Sequence, residues 1–160
     1  MSQYPVLMLF AFALLAQQAA SADGSVPVPE FTLEISLTKD ASNKLAQAGE
    51  SMSGTIYFDG DGPPLPGTKT APFRNVFLGQ QDFQLENEGL LTIKNASISK
   101  EAFLRLDDEN YHYFVNVYSG RRVFAENILT CSYADGRLDD LKARERIEIH
   151  CELSETPDNE

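Results

Sequence analysis

Positive charge is scarce in this chain. Its 160 residues carry 13 Lys and Arg against 24 Asp and Glu, a formal net charge of -11. Such a surface repels the phosphates of nucleic acids and anionic lipids, so nucleic-acid binding is excluded as a class. Long hydrophobic runs are also missing. The uncharged apolar stretch VLMLFAFALLA, Val6 to Ala16, is 11 residues long, whereas a bilayer-spanning helix needs about 20. Catalytic signatures are absent too: no G-x-S-x-G, no H-E-x-x-H, no phosphate-binding loop and no C-x-x-C. Only two histidines occur, His112 and His150, and only two cysteines, Cys131 and Cys151. Two Cys without clustered His do not make a zinc site, and no cofactor is implied.

What is present begins with an address. The apolar run is followed by Ala20-Ser21-Ala22 and then Asp23, the pattern of a cleaved secretory signal. No Lys or Arg precedes the run, and the plainer alternative is a retained short anchor. No Cys follows the small-residue site, which argues against a lipoprotein. The predicted organisation is therefore a signal peptide at 1–22, one domain at 23–153 and a disordered acidic tail at 154–160. The location would be periplasmic or secreted, with no stable membrane insertion after cleavage. In that setting Cys131 and Cys151 pair as a disulfide, worth about 3 kcal/mol for a loop of this length; two buried thiols are the competing reading.

The hydropathy pattern is that of a β protein. In EFTLEISLT, Phe31, Leu33, Ile35 and Leu37 alternate with Thr32, Glu34 and Ser36, as in a half-buried strand. Asp40 or Ser42 is the expected cap of a short helix ending near Gly49. SMSGTIYFDGDG alternates again and runs into a Pro/Gly-rich loop. FRNVFLGQQDFQLENEG reads as one strand, or two pieces broken near Gly79. LLTIKNASI returns after a turn at Asn87–Gly89. Ser99 caps a second short helix, YHYFVNVYSG is the strongest strand, and ENILTCSY is another, with Leu129, Cys131 and Tyr133 on one face. ADGRLDDLKAR reads as a turn and short helix, RIEIHCELS as the last strand. The expected fold is mainly β: a two-layer antiparallel β-sandwich with one to three short helices and one disulfide, or alternatively a small β-barrel.

Candidate sites are few. Asp59 and Asp61 have the D-x-D-G spacing that opens a calcium loop, but the twelfth position is Thr70, and Pro63, Pro64 and Pro66 intervene; a polar turn is the plainer reading. His112 and His150 read as outward strand residues. Asp107-Asp108 and Asp139-Asp140 read as solvated surface rather than acid/base pairs. In VNVYSGRR, Gly120 supplies a turn after the aromatic strand, and Arg121 and Arg122 follow. Two guanidiniums at a loop tip can engage carboxylate or phosphate, and Tyr118 and Phe124 would flank them as aromatic contacts. The plainer reading is that the two arginines neutralise neighbouring carboxylates.

Ser119-Gly120 resembles the S-G-x-x-Y signature of secreted bacterial lysozyme inhibitors, but Val123 stands where the Tyr belongs. LAQAGESMSGTIYFDGDG, APFRNVFLGQQDF and VNVYSGRRVFAENILTC resemble uncharacterised small periplasmic or secreted proteins of Gram-negative bacteria. That resemblance implies a periplasmic address and no activity. The expected function is a non-enzymatic periplasmic binding protein, an inhibitor or accessory subunit contacting another macromolecule such as a periplasmic protein. Its contact surface would be the 118–124 tip and the 59–73 loop, if the two meet at one end of the sandwich. A small apolar-ligand carrier using Phe73, Phe77, Phe83 and Phe103, and a carboxylate-based hydrolase, are the alternatives.

Overall fold

In the computed structural model, residues 24–63, 66–67, 74–144 and 146–154 are described. The predicted signal peptide at 1–22, residues 155–160 of the predicted tail, and Phe73 lie outside them. Ten strands and three short helices occur among the described residues. Two four-stranded sheets make the two layers, both open rather than closed into a barrel.

Sheet I has the order β5-β2-β10-β8, with β2 at Phe31–Leu37, β5 at Gly89–Ile93, β8 at Leu129–Cys131 and β10 at Ile147–Leu153. Sheet II has the order β4-β3-β7-β9, with β3 at Met52–Gly60, β4 at Val76–Leu85, β7 at His112–Ser119 and β9 at Ala134–Arg137. A short pair, β1 (Ser25–Pro27) and β6 (Ser97–Ser99), completes the β structure. All pairs are antiparallel except one. β2 and β10 run parallel in the centre of sheet I, with Leu33 opposite Ile147 and Ile35 opposite Ile149. Two strands so far apart in sequence need no hairpin, so either direction was open to them.

The alternation seen in the sequence produces the core. Leu33, Ile35, Ile147, Ile149 and Cys151 from sheet I meet Met52, Ile56, Phe58, Tyr113, Val115 and Val117 from sheet II, all buried. The Phe31 and Tyr113 rings touch across the layers at 6.4 Å. Cys131 and Cys151 form the disulfide and are direct cross-strand partners on β8 and β10. The bridge thus fastens two neighbouring strands of one sheet rather than tying the sheets together.

Four details refine the expected elements. The cap of α1 (Lys39–Ala48) is Thr38, whose Oγ1 accepts the Ala41 N–H at 3.3 Å; Gly49 closes the helix in the left-handed region at φ 68°. β4 is one strand, with a bulge against β3 between Phe58 and Asp59 that lies beside Gly79. Ala134–Arg137, expected as a turn, is an edge strand on β7, and α3 (Leu138–Ala143) follows it. Tyr133, expected on the apolar face, is exposed, because β8 stops at Cys131 and the chain then crosses to sheet II. Ser99 does cap α2 (Lys100–Phe103), its Oγ accepting from Ala102.

Candidate functional site

The register of sheet II separates the two loops that were expected to share one surface. Met52 pairs with Ser119 and Asp59 with His112. The 120–124 tip therefore leaves one end of the sheet, and the loop after Gly60 leaves the other, roughly 23 Å away at the usual strand rise.

At the tip, a buried carboxylate organises the backbone. The Gly49 cap turns the chain, and Glu50 enters the fold at 4 % exposure. Its Oε1 accepts N–H groups from Ser51 at 2.8 Å and Arg122 at 3.0 Å. Its Oε2 accepts from Val123 at 2.7 Å and Phe124 at 3.1 Å. Burial alone would raise this carboxyl, but the four N–H donors reverse the effect and take it down to about 2. The tip is held further by the Gly120 N–H on Ser51 O at 2.7 Å and by Asn127, whose Oδ1 accepts from both the backbone and the hydroxyl of Ser119. Arg122 is engaged: its guanidinium makes a two-pronged pair with Glu86 at 2.7 and 2.9 Å. Phe124 lies under Lys44 Nζ, 5.3 Å from the ring centre. The Tyr118 hydroxyl is 3.5 Å from Thr55 Oγ1. Arg121 is exposed, its backbone in the left-handed region at φ 55°.

The opposite end is chemically richer. Asp59 and His112, partners across β3 and β7, project from the outer face of sheet II. Asp59 is nonetheless only 3 % exposed. Arg74 ties the group together. Its Nε is 3.6 Å from Asp59 Oδ1, its Nη1 is 3.7 Å from Asp61 Oδ2, and its Nη2 donates to His112 Nδ1 at 3.0 Å. That donation makes Nδ1 an acceptor and leaves the proton of the neutral imidazole on Nε2. Burial, then the Arg74 and Arg137 guanidiniums, lower the His112 imidazole below its ordinary value. Burial raises Asp59 to about 6 against the pull of Arg74. Its Oδ2 is sealed from solvent and has no hydrogen-bond donor among the described residues. Asp59 and Asp61, the weak calcium candidates, thus share one guanidinium, so Arg74 stands where a cation would.

Beside this cluster lies an open cleft of about 420 Å³, lined by Asp59, Arg74, His112, Phe114, Tyr133 and Asp135 with Tyr113 at its floor. Three outward rings form a shelf along it. Tyr57 and Phe114 are 6.4 Å apart, Phe114 and Tyr133 5.8 Å, each pair tilted by about 30°. Tyr133 is 77 % exposed. Asp135 is the cross-strand partner of Phe114, so its carboxylate flanks the same ring.

Sequence reasoning singled out Asp59 and Asp61 here but passed over Arg74, Phe114, Tyr133 and Asp135, and set His112 aside as an outward residue. His112 does point outward. Only the register reveals what it faces. The two histidines fall in different sheets, His112 on β7 and His150 on β10, where His150 Nδ1 is 3.0 Å from Ser36 Oγ. Of the aromatics considered for an apolar pocket, Phe83 and Phe103 pack against the core, and Phe77 is half-buried on β4 opposite Asp59. No helix among the described residues is long and apolar enough to cross a membrane. Comparison of the chain with family models, with curated proteins and with solved structures returns no match.

Proposed function

We propose that this chain is an exported, non-enzymatic binding protein that contacts another macromolecule through the outer face of sheet II, at the end where Asp59, Arg74 and His112 gather. One observation carries the reading: a buried carboxylate with an unsatisfied oxygen sits beside a three-ring shelf whose end ring, Tyr133, is exposed. Stability alone disfavours both features, and groups kept against stability concentrate at functional sites. The non-catalytic part is supported by Arg74, which pairs with Asp59 Oδ1 and donates to His112 Nδ1, the imidazole nitrogen that would otherwise accept a proton. Export, to the periplasm or beyond, is supported by the disulfide and by the Val6–Ala22 pattern.

Site-specific photo-crosslinking in the producing cell tests this. A benzoylphenylalanine at position 133 should form an adduct with a partner, and one at position 90, on the exposed edge of sheet I, should not. A second reading has its own observation. Arg121 is exposed, makes no ion pair among the described residues, and is presented by a tip that Glu50 fixes. Adducts from position 121 and none from position 133 would transfer the contact to that tip.

A further inference from the structure

The cleft beside the shelf also specifies the charge of what it takes. Arg74 is the one basic side chain among the described residues lining it, and Asp59, Asp61 and the His112 Nδ1 already occupy its guanidinium. Asp135 is exposed and forms no ion pair among the described residues. The charge that the described residues leave unspent in the cleft is therefore negative, in a chain whose net charge is -11. An anionic ligand would meet Asp135 with no free cation among the described residues to offset it. A purely apolar ligand would leave that carboxylate uncompensated as it is desolvated.

The shelf adds shape. The exposed Tyr133 ring is 5.8 Å from that of Phe114, and Asp135 is the cross-strand partner of Phe114. A planar cation can lie on the Tyr133 ring face, where the π quadrupole is negative, and donate in its own plane to the carboxylate. Guanidinium meets both conditions better than ammonium, because it is flat, weakly hydrated and forked. Resting on the reading of this face as the contact surface, we propose that the cleft receives an arginine side chain from a basic protein segment, stacked on Tyr133 beside Phe114 and paired with Asp135.

The test uses the chain from Asp23 onward with its disulfide formed, and amide NMR shifts as the readout. The probes are an acetylated (Gly-Arg)3 amide, its citrulline counterpart, which keeps the shape and loses the charge, and the neutral sugar chitotetraose. The arginine peptide should shift the amides of residues 112–115 and 133–135, and the citrulline peptide should not. Tyr133→Ala and Asp135→Asn should each weaken binding about tenfold, and Arg121→Ala should leave it unchanged. Both tested side chains are exposed, so loss of the fold is not expected, and an unchanged amide spectrum elsewhere verifies it. Equal binding of the citrulline peptide, shifts spread over the whole acidic surface, or undiminished binding by Tyr133→Ala would overturn the proposal. Chitotetraose shifting the shelf while the peptides do not would overturn the arginine partner yet leave the face as the contact surface. Shifts confined to 118–124 would overturn both.

Discussion

Glu50 and Asp59 are both carboxylates removed from water, and their surroundings drive them in opposite directions. Glu50 is met by four N–H groups and is lowered to about 2. Its folded value lies below its unfolded one, so its contribution is complete above about pH 4.5 and is lost as pH falls toward 2. The carboxylate lies just beneath the surface, so solvent screening reduces the linkage value. Glu50→Ala should cost about 2 kcal/mol in urea unfolding at pH 7 and loosen the amides of residues 122–124. For Asp59 the sign is reversed. Burial, opposed by Arg74 and aided by the Asp61 charge, takes its folded value to about 6 from the ordinary 3.8, with His112 facing it across the strands. The neutral form is favoured in the fold, so stability present below about pH 4 is lost as pH rises through 6. Asp59→Asn should match wild type at pH 3.5 and exceed it by about 3 kcal/mol at pH 8; equal stabilities at both pH values would refute this. Neither behaviour could be read from the chain. "GES" and "FDG" look like solvated turns, and what distinguishes them is the partner that arrives from some 70 or 50 residues away in sequence.

Elements whose pattern is local were legible; those defined by a partner were not. β2 and β10 carry unbroken apolar–polar alternation and β7 is rich in aromatic and β-branched residues, and each was expected where it occurs. β9 has the sequence Ala-Asp-Gly-Arg, with no β-branched or aromatic residue. It is extended only because β7 offers it a backbone edge. Asp135 and Tyr133 were missed for the same reason. Before β9 is known to lie beside β7, nothing connects them to Phe114. Packing inside sheet II can be tested at Gly54, where the ring of Phe83 fills the space a side chain would take. A Cβ there would lie 2.2 Å from Phe83 Cζ and 2.8 Å from the Asn116 carbonyl oxygen. Gly54→Ala should lower stability by about 1–3 kcal/mol. Adding Phe83→Leu should recover only part of that in a thermal melt, since the backbone contact with Asn116 remains.

Taken together, the two sheets were predictable from strand count and polarity, but their order and the single parallel pair were not, because residues on one strand do not encode which neighbour they will have. The disulfide was foreseen. It joins adjacent strands of sheet I across a sequence separation of 20, and replacing both cysteines by alanine should cost about 3 kcal/mol in denaturant unfolding without altering the arginine-peptide shifts on sheet II. β10 has a further consequence. It pairs with β2 on one side and β8 on the other, so the middle of one layer comes from residues 147–153. The nine other strands among the described residues are made before them, and until they arrive β2 has one edge open and Cys131 lacks its disulfide partner. Sheet I therefore closes only once residues 147–153 have been made, and a chain cut before Ile147 should form neither the parallel pair nor the disulfide. A version circularly permuted to place β10 before β2 should complete the parallel pair earlier in synthesis, which protease protection of chains arrested at successive lengths would detect.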